Sequence, residues 1–433
     1  MSAIATHRPP VSRPHLATMG LIGSAMVAFG VFLSGFVISE PAPYEVFMAV
    51  QIPLWFLIGL KISRAVAPLL ALLLLFNIGG MMSLTVMHDL EGAPLYIAVS
   101  IFLALSAVFY AAIIENDHRR LKIIFDAWVI SAIITSTLGI LGYFHAFPGA
   151  EVFTLYDRAK GAFQDPNVFG PFLIAPSLYL IHGLLTKSIA GAPFRAVGLL
   201  IITLGVFLSF SRAAWALFLF SAVALVFILL LKERTGVFRL RIFLLTLVAV
   251  VIMMGGLIGA MQSKKVADLF STRAQLEQDY DAGHLGRFER HRIGFALSME
   301  HPLGLGPMAF GKIYTEDEHN IWLKSLTTYG WLGFVTYIAM ICWTLATGFH
   351  YLLRNRPWQP YLMIAWIVVV GHVGIGNVID IDHWRHVYLL LGIIWGCRAL
   401  EHNWQKNGAV PKPARRASHS QGLPYARSSH FID

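Results

Sequence analysis

Charge is what this sequence has least of: Asp, Glu, Lys and Arg together make up 13% of its 433 residues. An ordinary soluble domain carries roughly twice that fraction, so a normal water-facing surface is excluded. Cysteine is nearly absent as well. Cys342 and Cys397 each sit inside an apolar run and read as small buried hydrophobes; a disulfide framework or a metal site would need more ligands at better spacing. The chain has no GxxxxGK phosphate loop and no nucleotide-binding glycine pattern, so an ATP-driven or cytosolic nucleotide-sugar mechanism has no support. Neither an internal repeat nor an acidic cluster with metal-ligand spacing is visible. The first apolar run, 16–38, is too long for a signal-peptide core and lacks a small-residue cleavage site, so no cleavable leader is expected.

What the chain does have is apolar length. Hydrophobic residues make up 57% of it and the mean hydropathy is +0.65. The apolar runs approach ~20 residues, the length a helix needs to cross a bilayer core of ~30 Å. Runs of that length leave no room for β-barrel alternation, and α-helix satisfies every backbone group in lipid. The runs predict about twelve transmembrane helices at 17–39, 44–60, 66–87, 93–114, 124–147, 167–186, 195–210, 213–231, 239–261, 320–349, 360–379 and 386–400. The expected fold class is an all-α polytopic membrane protein. It has a cytoplasmic N-terminus (1–16), a membrane domain (17–400) and a disordered cytoplasmic tail (401–433) rich in Pro, Ser, Arg and His.

Loop charges orient these helices. With an inside N-terminus, the inner loops hold Lys61, Arg64, Arg119, Arg120, Lys122, Lys187, Arg195, Lys232, Arg234, Arg239, Arg241, Arg354 and Arg356, with further basic residues from Arg398 onward. The first two outer loops carry no basic residue, only Glu40 and Glu45, then Asp89 and Glu91. That alternation places both termini in the cytoplasm. It also accounts for the net charge of +9 without invoking nucleic acid as a partner. The longest hydrophilic loop, 262–319, falls outside, between the ninth and tenth helices. It opens with Asp268, Arg273, Glu277, Asp279 and Asp281, continues with a helical segment at 287–300, and ends in the breaker run HPLGLGP at 301–307. A second outer loop, 148–166, carries YDRAKGAFQDPN.

Three places on that outer side have the residues for chemistry. Arg212 interrupts 36 nearly continuous apolar residues (196–231), too many for one span and too few for two with an ordinary loop. Two helices meeting at a tight turn around Ser211-Arg212 fit best. An arginine at membrane depth costs at least ~2.5 kcal/mol and is usually paired or faces an aqueous cavity; the plainer reading is a snorkelling arginine at a helix end. Arg287, Arg290 and His291 share one helical face and would form a cationic strip suited to a diphosphate, whose oxygens guanidinium groups bind bidentately, or simply a solvated face. His319-Asn320 stands where the long loop re-enters the membrane. There an imidazole can accept a hydroxyl proton near neutral pH or serve structure alone. Asp165, Asn167, Asp380, Asp382 and His383 lie at other outer edges, as helix caps or interface groups; Asp380 and Asp382 could also pair with Arg385. Taken together, two arginines and a histidine on one side suit glycosyl transfer, with guanidinium stabilising a lipid-diphosphate leaving group.

Four segments carry a family resemblance: GAFQDPNVFGPFL (161–173), LSFSRAAWALF (208–218), GRFERHRIGFALSMEHPLGLGPMAF (286–310) and HNIWLKSLTTYGWLGF (319–334). In order and spacing the chain resembles the O-antigen ligase and O-antigen polymerase (Wzy-type) superfamily of bacterial membrane glycosyltransferases. The resemblance implies a GT-C-like fold, an undecaprenyl-diphosphate-linked glycan donor, and catalysis at the periplasmic face of the inner membrane with neither metal nor nucleotide cofactor. Arg212 and Arg287 would contact the donor diphosphate, and His319 would orient or deprotonate the acceptor hydroxyl. Asn167 and Asn320 would support substrate binding, with Arg290 the alternative to Arg287. The acceptor would be a glycan or lipid A-core, and polysaccharide-export or flippase proteins would be companions. Ligase, polymerase and exopolysaccharide polymerase stay open. A transporter or lipid-linked oligosaccharide flippase is the alternative of another class, although related halves and charges inside spans, usual in transporters, are not evident.

Overall fold

The computed structural model describes residues 13–233, 235–262 and 286–408. The polar start of the long loop (263–285), residues 1–12 and the tail 409–433 lie outside the described residues. Helices dominate in this order: α1 (Arg13–Leu33), α2 (Pro43–Leu57), α3 (Ala67–Leu84), α4 (Ala93–Asn116), α5 (Arg120–Tyr143), α6 (Pro166–Phe172), α7 (Ile174–Thr186), α8 (Ala192–Leu208), α9 (Arg212–Lys232), α10 (Gly236–Met261), α11 (Arg287–Glu300), α12 (Ala309–Tyr314), α13 (Ile321–Tyr351), α14 (Gln359–Ile375) and α15 (Arg385–Asn407). Strands β1 (Thr154–Leu155) and β2 (Arg158–Ala159) form a small hairpin in the 148–166 loop.

Seven described stretches are long and apolar enough to cross a membrane: Ala67–Leu84, Ala93–Asn116, Arg120–Tyr143, Pro166–Thr186, Ile189–Leu208, Arg212–Lys232 and Ile321–Tyr351. Gly20–Leu33 and Gln359–Ile375 are shorter apolar helices. Proline sets many of the starts, standing at the first or second position of α2, α3, α4, α6, α8 and α14. There its missing N–H is no loss and its fixed φ favours the first turn. The largely enclosed span α4 packs along α15. Cβ atoms built on Gly392 and Gly396 would fall 2.7 and 3.0 Å from the carbonyl oxygens of Ala107 and Ala111, so small residues four apart on both helices allow the backbones to touch.

The connections gather at two opposite ends. At one, the α1–α2 linker bonds to the 148–166 loop (Val37 N to Ala162 O, 2.6 Å). There too Arg385, at the start of α15, clasps Glu40 and Glu45, and Lys312 pairs with Asp89 at 2.5 Å. At the other end Lys232 donates to Gln359 (2.9 Å), Arg241 to the Lys187 carbonyl (2.8 Å) and Asn403 to Glu115 (3.0 Å). Glu401 is held there by Arg354 and Arg356. Connections assigned to one side by charge therefore meet one another. The expected pairing of Asp380 and Asp382 with Arg385 does not form: the Glu40 and Glu45 carboxylates take up that guanidinium.

The tenth predicted span is not a continuous helix. Within α13 the backbone breaks at Gly330, which has φ +65° and ψ −172°. The HPLGLGP segment fills the break. Trp331 N donates to Pro302 O at 2.9 Å, while Leu305 N and Gly306 N both reach Thr327 O, at 2.6 and 3.1 Å. A freed backbone group costs several kcal/mol in an apolar surrounding, so a broken helix persists only where something else pairs with it. Glycine is required here, since a Cβ on Gly330 would lie 2.8 Å from Leu303 C and Pro302 O, and a left-handed φ disfavours any side chain.

Gly330→Ala is therefore expected to destabilise the protein by about 2 kcal/mol or more, adding the left-handed penalty of about 1–2 kcal/mol to the steric overlap. Gly374→Ala, where a Cβ meets nothing within 4 Å, should be near neutral. Thermal unfolding of both variants in detergent checks this, and equal melting temperatures would refute the bracing role of 301–307.

Candidate functional site

The first described cluster surrounds the turn between α8 and α9. The helix α8 ends at Leu208, Phe210 adopts a left-handed φ of +46°, and Ser211 caps α9 by accepting from Ala214 N at 3.4 Å. Arg212 is the first residue of α9 and is half-buried. It thus stands at a helix N-terminus, where unpaired N–H groups and the helix dipole favour an anion. The tight turn expected around Ser211-Arg212 is present. Trp215 braces it, donating Nε1 to Val206 O and Phe207 O at 3.1 and 3.3 Å and stacking on Phe207.

Asn167 adjoins this turn. Asp165 caps α6 by accepting from Asn167 N (2.6 Å), and the Asn167 side-chain oxygen accepts from Arg158 Nη2 at 2.8 Å. Arg158 itself is buried on β2 and donates Nε to Ser209 O at 2.8 Å. In the sequence Arg158 is one charge among several in YDRAKGAFQDPN, and its role comes from these contacts.

The second cluster forms at the start of α13. Asn320 is its N-cap: Oδ1 accepts from Trp322 N and Leu323 N at 3.0 and 3.1 Å, and Nδ2 donates to Asn377 O at 3.1 Å. Its backbone N–H donates to Asp380 Oδ1 at 2.8 Å. Next to it, His319 adopts a left-handed φ of +51° and sets Nδ1 3.9 Å from Asp380 Oδ2. A non-glycine residue in that conformation carries strain of order 1 kcal/mol, a condition often found at functional sites.

One turn below lies Lys324, buried within a cage of acids. Its Nζ is 2.8 Å from Asp317 Oδ2 and 3.5 Å from Glu318 Oε2, and Glu318 also accepts from Thr327 Oγ1. Burying an ammonium and a carboxylate together is tolerable only when each is paired and hydrogen-bonded.

The helix α11 runs alongside α13. Arg287 is its first residue; its side chain lies outside what the structure describes. Arg290 is 3% exposed and pairs with Glu316, and His291 Nε2 donates to Glu318 O at 2.9 Å. The open cationic strip expected on this face is thereby corrected for two of its three members. The reason is that the acids at 316–318 fold back onto them and neutralise Arg290.

Asp382 is a further hub. It accepts from Tyr96 OH (2.6 Å), Tyr329 OH (3.2 Å) and His383 Nδ1 (3.0 Å). Burial alone would raise this carboxyl, but His383, Lys324 and Tyr96 together hold it well below the usual range. Asp380 goes the other way. Burial pushes it up to about 7; Lys324 opposes this, while Glu318, Asp382 and Asp317 add to it.

A packed path joins the two clusters. From Asn167, α6 leads to Phe172, whose ring meets His386 at 5.9 Å. His386 Nε2 is 3.2 Å from His372 Nε2. His372 O accepts from Gly376 N, and Gly376 O accepts from Ile321 N, the residue after Asn320. Lys324 was missed because it looked like one stray charge in an apolar helix. The acidic run 316–318 just before it was the signal that could have marked it.

Apolar helices, two opposed polar ends and a buried ionic cluster at one of them define an all-α polytopic membrane protein with a polar site at one end of its bundle. Residues 197–338 match the family model described as O-Antigen ligase. The matched stretch holds Arg212, Arg287, Arg290, His319 and Asn320 and is similar to the O-antigen ligase family over that length. No curated protein matches the chain.

Asp380 generates a pH prediction. Unfolded, it releases its proton near its ordinary value of 3.8; folded, near 7. The folded state therefore holds a proton that the unfolded state has lost. This contribution to stability is full below about 3.8 and is lost as pH rises through about 7. The melting temperature of Asp380→Asn relative to the parent should climb between pH 4 and pH 8, whereas a pH-independent difference would exclude Asp380 as the titrating group.

Proposed function

We propose that the protein is a metal-independent membrane glycosyltransferase that transfers or polymerises undecaprenyl-diphosphate-linked glycans at the periplasmic face of the bacterial inner membrane. It acts as an O-antigen ligase or as a surface-polysaccharide or exopolysaccharide polymerase. The observation that carries this reading is the O-antigen ligase match over 197–338, which encloses a helix-terminal arginine and a strained histidine. The proposed topology has twelve spans with both termini cytoplasmic. It rests on the alternation of loop charge and on the gathering of acidic connections at the end that holds His319.

In this reaction the acceptor hydroxyl attacks the anomeric carbon of the donor, and the bond from that carbon to the diphosphate oxygen breaks. His319 orients the hydroxyl and takes its proton. The ionised form of Asp380, beside Nδ1, favours the imidazolium that results. Arg212 and Arg287 hold the departing diphosphate, and the α9 N-terminus adds its dipole to the same charge. Arg290, already neutralised by Glu316, serves the substrate through the position of α11. Asn320 and Asn167 keep the two clusters in place and offer polar edges to the glycan. The donor is the lipid-linked glycan, the acceptor a glycan or lipid A-core, and polysaccharide-export or flippase proteins would act with it.

A second reading, a lipid-linked oligosaccharide flippase, draws on the broken helix α13 and its buried Lys324, since discontinuous helices line many transport sites. Reconstituted protein that forms no glycosidic bond from lipid-linked donor, yet moves that donor between leaflets, would favour it.

Arg212→Ala, Arg287→Ala and His319→Ala should each lower glycan transfer by about a hundredfold or more while leaving membrane abundance unchanged; full activity in all three would refute the assignment. In a deletion strain, lipid A lacking long chains beside accumulated lipid-linked polymer means ligase, and single-repeat products mean polymerase. Intact lipopolysaccharide with a missing capsule or exopolysaccharide means a polymerase for that separate polymer.

A further inference from the structure

We infer that Arg158 is a positioning residue that sets the α8–α9 turn and thereby aims Arg212; the inference rests on the proposed role of Arg212 toward the donor diphosphate.

The backbone of Arg158 is held before its side chain is considered. Leu155 and Arg158 are paired in the β1–β2 hairpin, and the two residues between them, Tyr156 and Asp157, have φ of +49° and +57°. This is a type I′ turn, whose twist matches a two-residue hairpin. The following residues are tied to three neighbours: Lys160 N to Phe153 O at 3.0 Å, Ala162 N to Thr135 Oγ1 at 2.9 Å, and Val37 N to Ala162 O at 2.6 Å. The hairpin is thus anchored on α5 and on the α1–α2 linker.

From that anchor the guanidinium reaches inward and is 7% exposed. Nε donates to Ser209 O and Nη2 to Asn167 Oδ1, both at 2.8 Å. A buried guanidinium without such acceptors would be costly, so the burial itself fixes the contacts. Ser209 O lies at the C-terminal end of α8, where exposed carbonyls favour a cation. It is also the last carbonyl before the left-handed Phe210 and lies three residues ahead of Arg212. One planar side chain therefore links the hairpin, the first turn of α6 and the turn that orients Arg212. Lysine, with a single compact ammonium, cannot reproduce the fork.

The test measures the affinity of undecaprenyl diphosphate for the full-length protein in lipid nanodiscs, for the parent, Arg158→Ala, Arg158→Lys, Arg212→Ala and the Arg158→Ala/Arg212→Ala double variant. Arg158→Ala should weaken binding about tenfold, the size of one lost charge-assisted hydrogen bond. Arg158→Lys should recover part of that loss, and the double variant should bind no worse than Arg212→Ala alone. Parent-like binding by Arg158→Ala, or a double-variant loss equal to the product of the single losses, would overturn the inference. Parent-like binding by Arg212→Ala would instead remove the role given to Arg212. Should Arg158→Ala aggregate, Asn167→Ala, which leaves the Ser209 bond, takes its place. It should show a few-fold loss in the parent background and none beside Arg212→Ala; equal losses in both backgrounds would overturn the inference.

Discussion

In an apolar surrounding every backbone N–H and C=O needs a partner within the protein, and the rest of this structure depends on how that demand is met at Gly330. The break in α13 frees groups that a continuous helix would satisfy, and the 301–307 segment supplies the replacements. The end of the long outer loop is thereby bound into the bundle. Residues 316–319 follow within a dozen residues of that brace and are delivered to the head of α13. The Asp317–Lys324 and Glu318–Lys324 pairs, the Asp380–Asn320 bond and the posture of His319 are all made between that brace and the head of α13.

Electrostatics then divides the site into two kinds of place. Around α13 the cations at 290 and 324 are each closed off by an acid from 316–318, so that region is a neutralised, rigid framework on which His319 is mounted. At the α8–α9 turn the acceptors of Arg158 include a backbone carbonyl and an amide oxygen, and the helix dipole of α9 adds positive potential beside Arg212. The family match covers both. The packed path through Phe172, His386, His372 and Gly376 ties the two places together within the bundle.

Hydropathy made the helices legible because the predicted apolar runs fall on described helices, six of which have proline at the first or second position. The turn at Arg212 was legible for a related reason: 36 apolar residues admit few other arrangements. The break at Gly330 was not, since a glycine in TTYGWLGF looks like any small residue in a helix. Its signal lies partly in HPLGLGP, whose glycines and prolines read as an ordinary loop. The fate of Arg290 was equally hidden. Helical periodicity puts it on a face with Arg287, but whether that face is open depends on acids 26 residues further along. Arg158 and Lys324 escaped notice because each is a single charge whose meaning comes from contacts made in space. The role of Arg385 turned on partners 340 and 345 residues away.

That last clasp bears on how the molecule is made. Glu40 and Glu45 are made with the second helix, while their arginine follows 340 and more residues later. Until α15 is made, the early helices carry these two carboxylates without that guanidinium, and α4 lacks the neighbour whose glycines let it pack closely. α15 therefore ties itself to the early helices twice, by charge at its first residue and by backbone contact along its length.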